Sequence, residues 1–203
     1  MPRTGARGGP QTRARIAEVA ARMFLERGFD GVTVAEVARE AGVSSVTVFK
    51  HFPRKEDLFL DRTIDAVEVR QSAVRDRPPG ADVLASLRDA TLGLVDDRHP
   101  LSGVNDRSTP FFRTVAASPT LIARAREIAA DLQTTLSEEL AADPSYDGDG
   151  TLLAAFFIAG YATVLVETAR RLIEGEQLTD LLDDHRARFE RLFDALRNGL
   201  APG

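Results

Sequence analysis

The segment TVAEVAREAGVSSVTVFKHFPRKEDL, residues 33–58, decides the fold. Thr33 and Glu36 stand at the T-x-x-E spacing of a capping box, in which each side chain satisfies an amide left open at a helix start. Val34, Val37, Ala38 and Ala41 then recur at helical spacing and form one apolar face. Gly42 breaks this helix, Ser44 or Ser45 caps a third, very short one running to about His51, and Pro53 stops it. Two short helices joined by a tight turn around Ala41, Gly42 and Val43 make a helix-turn-helix. The second helix of such a motif offers small, hydrogen-bonding or cationic groups to base edges on one face and apolar ones to its own core on the other. Here Val48 and Phe52, four apart, share the inner face, while Ser45, Val46, Thr47 and Lys50 point elsewhere. No acidic residue occurs from Val43 to Lys55, as a surface facing phosphates requires.

Outward from this segment, almost every stretch shows a period of 3.6 residues and none alternates over strand length, so the chain is predicted to be all-α. The first helix is expected from about Gln11 to Arg27, with Ile16, Val19, Ala20, Met23 and Phe24 on one stripe and Gly28 closing it. A fourth is expected from near Arg54 to about Arg75, with Glu56 and Asp57 in its first turn. Arg77-Pro78-Pro79-Gly80 marks a break. Beyond it helices are expected near 82–96, 119–142, 150–175 and 178–199, with shorter turns in 98–118 and a loop at 142–150.

Composition sets the limits. The chain has 203 residues, 43% hydrophobic and 28% charged, which is enough to bury a core. It contains no cysteine, so neither disulfides nor thiolate metal ligands enter. The basic start MPRTGARGGPQTRAR is followed by no apolar signal region. The apolar run from Leu152 to Val166 falls short of the roughly 20 residues of a bilayer span and meets Glu167. It reads as a buried helix in a cytoplasmic protein with no membrane partner. Net charge is −5, but residues 1–55 carry ten Lys+Arg against five Asp+Glu, while the rest carries 16 against 26. A basic head on an acidic body suggests that the head alone meets a polyanion. Both lysines of the chain, Lys50 and Lys55, lie in that head.

Catalytic and metal signals are weak. The three histidines, His51, His99 and His185, have no metal-ligand spacing, and no G-x-S-x-G occurs. DPSYDGDG begins like a calcium loop, but its twelfth position is Ala154 where a bidentate glutamate is needed. Gly5–Gly9 lacks the Gly-Lys-Ser/Thr of a phosphate loop. No enzyme activity, cofactor or metal is therefore expected.

A fuller pattern runs through Thr12-Arg13, Ile16, Ala20-Ala21, Met23-Phe24, Gly28-Phe29 and Val32-Thr33-Val34. It continues through Val37-Ala38, Ala41-Gly42-Val43-Ser44, Thr47-Val48-Phe49, His51-Phe52-Pro53, Lys55-Glu56 and Leu58. On these residues, 12–58 resemble the DNA-binding head of TetR-family repressors. The resemblance implies that Ser45, Val46, Thr47 and Lys50 face bases, and that Thr33, Ser44, Phe49, His51 and Lys55 lie near phosphates. Three positions depart from the family pattern, one being Ser45, where a longer polar or basic residue is common. Phe49 stands where tyrosine is usual, so its ring can only pack on the sugar-phosphate backbone. Val46 replaces a smaller residue and can reach a thymine methyl.

One helix-turn-helix makes few base contacts, so such heads act in pairs about 34 Å apart on a palindromic operator. The last two helices are the candidates for pairing. Leu181, Leu182, His185, Phe189, Leu192, Phe193, Leu196 and Leu200 form a broad stripe, and the helix 150–175 is apolar nearly all round. The expected homodimer residues are Leu153, Gly160, Val164, Phe189, Leu192, Phe193 and Leu196, and the resemblance likewise implies a four-helix bundle. It also implies a small-molecule effector bound in the C-terminal domain. His99, Asn105, Phe111 and Phe112, in a segment broken by prolines and glycine, with Phe156, Phe157 and Tyr161 on the facing helix, are the expected lining. The expected domains are a flexible basic arm (1–11), a three-helix helix-turn-helix head (12–58) and a helical ligand-binding and dimerisation domain (59–203). The function read from this is a sequence-specific DNA-binding repressor released by its ligand. The alternatives are a helical DNA binder without ligand response and a small helical enzyme.

Overall fold

The computed structural model describes residues 8–78 and 80–198. Residues 1–7 of the expected arm, Pro79 of the expected break, position 199 of the expected last helix and Leu200 of the expected apolar stripe lie outside the described residues. Among those described, every regular element is helical. Contacts divide the chain into two compact units, one reaching to Asp61 and including Thr114–Arg124, the other comprising Arg62–Arg113 and the chain from Ala125 onward.

The first unit is built on α1 (Gly8–Arg27), α2 (Val34–Glu40) and α3 (Ser45–His51). Helix α1 begins three residues before Gln11, so residues 8–11 of the expected arm are helical. Its inner stripe, Ile16, Ala20 and Phe24, meets Val37, Val48, Phe52 and Leu58 in a core from which solvent is excluded. Phe24 packs against Phe29 and Phe59, with ring centroids 5.0 and 5.8 Å away. Gly42, at φ +65°, takes the left-handed conformation that lets α2 end in a Schellman turn. There the Val43 amide donates to the Ala38 carbonyl at 2.9 Å and the Gly42 amide to that of Arg39 at 3.2 Å.

The expected helix from Arg54 does not form. Glu56–Leu58 makes a single 3₁₀ turn, and α4 spans only Thr63–Arg75. The Asp57 carboxylate accepts from the Arg54 amide at 3.2 Å and from Arg124 Nε at 2.8 Å. That side chain thus competes for the backbone of the would-be first turn. The Arg124 pair, with Leu121 and Ser118 buried, ties the segment 114–124 into the first unit.

The second unit holds α4, α5 (Val83–Asp96), most of α6 (Ser108–Ala116) and α7 (Pro119–Ala142), then α8 (Gly150–Glu174) and α9 (Leu178–Asn198). Asp149 starts α8 by accepting from the Leu152 amide at 3.0 Å. One core cluster gathers Val74, Leu87, Leu136, Leu140, Phe157 and Phe193, and a second gathers Leu92, Val95, Val104, Val164 and Phe189. Tyr161 packs against both. Helix α8 is 25 residues long and, by length and composition, apolar enough to cross a membrane, where the run Leu152–Val166 alone had looked too short. It packs along α9, and Gly160 makes that approach possible: a Cβ there would stand 2.2 Å from Leu192 Cδ1.

Candidate functional site

The capping box at the entrance to α2 is complete. The Thr33 amide donates to Glu36 Oε2 at 2.8 Å, and the Glu36 amide returns a bond to Thr33 Oγ1 at 3.2 Å. Arg27 Nη2 adds a bond of 2.7 Å to Glu36 Oε1, and this guanidinium, with the Thr33 groups, holds the Glu36 carboxyl down to about 2. Ser44 caps α3 by accepting from the Thr47 amide at 3.1 Å, and the two hydroxyls lie 2.9 Å apart. The hydroxyls of Thr33, Ser44 and Thr47 therefore already have work inside the head.

Val48 is buried, and around the rest of α3 Val46 is 67% and Phe49 49% exposed, with Lys50 exposed beside them. Ser45, Thr47 and His51 are half-buried. Lys55 is placed otherwise than a phosphate-facing lysine needs. Its Nζ donates to the Phe29 carbonyl at 2.7 Å and sits 4.2 Å from the Phe29 ring centre. This ammonium fastens the α1–α2 connection. Arg13 performs a similar service at the end of α3, lying 4.5 Å over the Phe52 ring.

Of the residues expected to line a pocket, only Asn105 borders either of two clefts in the second unit. His99 Nδ1 accepts from the Leu101 amide at 3.2 Å and starts a 3₁₀ turn; Asn105 Oδ1 accepts from the Arg107 amide at 2.8 Å in the turn leading to α6. Phe111 and Phe112 are half-buried and meet edge to face at 5.5 Å. Phe157 and Tyr161 do come together in the core, at 5.9 Å, and the Tyr161 hydroxyl donates to the Leu101 carbonyl at 2.9 Å. Phe156 is 61% exposed on the outside of α8 and lines no interior.

The expected dimer residues are likewise turned inward. Val164, Phe189 and Phe193 are buried in the chain's own core, Gly160 and Leu192 meet each other, and Leu153 and Leu196 pack on the first cluster. The outward side of α8 is instead Leu152, Phe156, Ala159, Thr163 and Val166, all exposed and spaced four, three, four and three apart. Sequence reasoning also passed over Arg70 and Glu139. Each has a buried polar atom, Nη2 and Oε2, without a hydrogen-bond partner. Their signal was a single charge set in an apolar stripe, Arg70 among Ala66, Ala73 and Val74, and Glu139 between Leu136 and Leu140.

Comparison with known proteins adds the following. Residues 16–61 match the family described as "Bacterial regulatory proteins, tetR family". Over 158 residues the chain is 28% identical to the HTH-type transcriptional regulator TcmR of Streptomyces glaucescens, covering 76% of this chain and 70% of that protein. It is 36% identical over 61 residues to the HTH-type transcriptional regulator AcrR of Shigella flexneri, across 30% of this chain and 28% of that one. Among solved structures the fold is similar to that of a SmeT–triclosan complex, with TM-score 0.62, 18% identity and coverage of 95% and 96% of the two chains. It is also similar to Thermus thermophilus FadR, a TetR-family transcriptional repressor in complex with lauroyl-CoA, with TM-score 0.56, 23% identity and coverage of 94% and 99%.

Proposed function

We propose that the chain, whose residues 16–61 match the tetR family of bacterial regulatory proteins and which is 28% identical over 158 residues to the regulator TcmR, is a helix-turn-helix regulator of transcription that acts in the cytoplasm as a homodimeric repressor. A small molecule taken up by the second unit would release it from a palindromic operator. One observation carries this reading. The large apolar side chains that stand exposed among the described residues are Val46 and Phe49 on α3, and Leu152, Phe156 and Val166 on α8. Exposed apolar groups gathered on so few faces mark contact surfaces, and two surfaces are what a dimer reading two half-sites needs.

In this reading α3 enters the major groove. Val46 meets a thymine methyl, Lys50, Ser45 and Thr47 reach base edges, and Phe49 and His51 lie along the sugar-phosphate backbone. Thr33, Ser44 and Lys55 fix the frame that presents them. The second copy docks on the outer stripe of α8, with the inward residues Leu153, Gly160, Val164, Phe189, Leu192, Phe193 and Leu196 supporting it from behind. Ligand binding shifts the population toward a spacing of heads that no longer fits two successive grooves, by as much as the ligand prefers that state. SmeT with triclosan and FadR with lauroyl-CoA, two proteins of similar fold holding small molecules, support the effector part of the reading.

The test is selection of bound sequences from random duplexes, followed by salt titration with the selected operator. Lys50→Ala and Val46→Ala are each expected to lose about 1–3 kcal/mol of discrimination at one half-site position. Parent-like affinity and sequence preference in both variants would remove α3 from the groove.

A further inference from the structure

The outward face of α3 is mostly hydrocarbon. Val46 and Lys50 each stand two residues from the buried Val48, which at about 100° per residue places them about 160° round the helix from it, pointing away from the core. Val46 is 67% exposed, and Phe49, one turn along on its flank, is 49% exposed. Neither side chain has a donor or an acceptor. On the other flank the Thr47 hydroxyl is engaged at 2.9 Å by that of Ser44. The outermost groups of this helix are therefore two apolar side chains and one ammonium, and no carboxylate lies from Val43 to Lys55 to repel a polyanion. Valine is a poorer helix former than alanine, and so exposed a side chain gains little from burial in the head. Its use lies outside the chain.

In the major groove a thymine offers an O4 acceptor and a C5 methyl, whereas a cytosine offers an N4 donor and no methyl. A side chain without donors or acceptors is blind to the change at position 4 and responds only to the methyl. 5-Methylcytosine carries that methyl at the same place on the ring. To Val46, thymine and 5-methylcytosine are thus one class and cytosine is another. Lys50 supplies the polar half of the reading. Its Cβ lies about 5–6 Å from that of Val46, as at any i, i+4 pair, and its N–H donors match the O6 and N7 acceptors of a guanine in a neighbouring pair.

We propose that Val46, covered on one flank by Phe49, reads the 5-methyl group of a pyrimidine beside a guanine held by Lys50. The head then binds half-sites with thymine or 5-methylcytosine at that position alike and binds unmethylated cytosine poorly, so that methylating a cytosine creates a binding site. This inference rests on the placement of α3 in the groove argued above and names the chemical group read there. Burying one methyl is worth a factor of about four in affinity per half-site, hence about fifteenfold when both half-sites change.

Duplexes selected by the full chain from random sequences provide the probes. Each half-site thymine in turn is replaced by deoxyuridine, by 5-methylcytosine or by cytosine, the last two paired with guanine, and affinities are measured by fluorescence anisotropy. At one position of each half-site, deoxyuridine in both is expected to weaken binding about fifteenfold and cytosine at least as much. 5-Methylcytosine there is expected to bind within about twofold of thymine, since the same methyl is buried. Val46→Ala, at a position too exposed for the change to unfold the head, is expected to bring the thymine and deoxyuridine duplexes within about twofold of each other. Equal affinity for thymine and deoxyuridine at every position would overturn the proposal, as would half-sites selected without thymine. A 5-methylcytosine duplex as weak as its cytosine counterpart, or a methyl effect undiminished in Val46→Ala, would overturn it too. Lys50→Ala separates the two readings. If it weakens operator binding while deoxyuridine has no effect on the parent, α3 stays in the groove and only the methyl reading falls; if neither Lys50→Ala nor Val46→Ala changes affinity or sequence preference, the placement of α3 itself falls.

Discussion

Lys50 and Lys55 stand five residues apart and carry the same charge, but their surroundings divide their tasks. Lys50 is exposed on α3, whereas the Lys55 ammonium is spent on the Phe29 carbonyl and ring. A hydrogen bond from a charged donor is worth about 1.5–3 kcal/mol, and the ring contact adds to it. Lys55→Met is therefore expected to cost about 2 kcal/mol of stability in urea denaturation, while Lys50→Ala leaves the denaturation midpoint in place and acts on DNA binding alone. Equal stability of the two variants would return Lys55 to the phosphate-facing set. His185 argues a second case at the same scale. It is buried between α8 and α9, its Nδ1 2.8 Å from Thr168 Oγ1. Burial lowers its pKa to about 4, Arg188 adds to the effect, and the Ser102 backbone and Asp184 oppose it. The folded value lies below the ordinary one of about 6.5, so between the two the unfolded chain binds the proton and the native chain does not. This contribution is full above about pH 6.5 and is lost as the pH falls toward 4, by at most about 3 kcal/mol. His185→Gln keeps a partner for Thr168 without titrating. Its urea midpoint is expected to fall less than that of the parent between pH 7.5 and pH 5, and parallel falls would assign the pH dependence to other groups.

Helices with a capping residue at the start and a breaker at the end were legible in the sequence. Helix α7 spans Pro119–Ala142, the same bounds that periodicity predicted, and α8 and α9 begin where it placed them. The head was legible too, because Thr33, Glu36, Gly42 and Ser44 each impose a local geometry that tertiary packing has no reason to override. What failed was whatever depended on side-chain direction. Asp57 looked like an ordinary first-turn acid; only the distant Arg124 gives it another use. Helix α8 is apolar on every side, so its period does not tell the face toward α9 from the face toward solvent, and the expected interface was assigned to the inner one. His99 and Asn105 were singled out as polar groups in a broken segment, and such residues serve turns as readily as ligands. Arg70 and Glu139 were invisible for the opposite reason. A charge in an apolar stripe usually reaches solvent along its own stem, and nothing in one sequence distinguishes that from a head held inside.

At the scale of the whole molecule, the proposed dimer needs a pairing surface, and the outer stripe of α8 offers one. Leu152, Phe156, Ala159, Thr163 and Val166 follow the four-three spacing of a seam between two helices, and neither of the two core clusters described above includes them. In a twofold-symmetric interface every residue counts twice. Burying one phenylalanine is worth roughly 1.5–3 kcal/mol, so replacing Phe156 by a charge removes on the order of 3–6 kcal/mol from the pair, at least a hundredfold in its dissociation constant. Phe156→Glu is therefore expected to sediment as a monomer at micromolar concentration with the circular dichroism of the parent, since the Phe156 ring is mostly exposed in the single chain. Each head would then hold a half-site alone, and affinity for a full operator would fall toward that for a half-operator. A variant that stayed dimeric and bound the full operator as tightly as the parent would move the pairing surface off α8, and the exposed stripe would need another occupant.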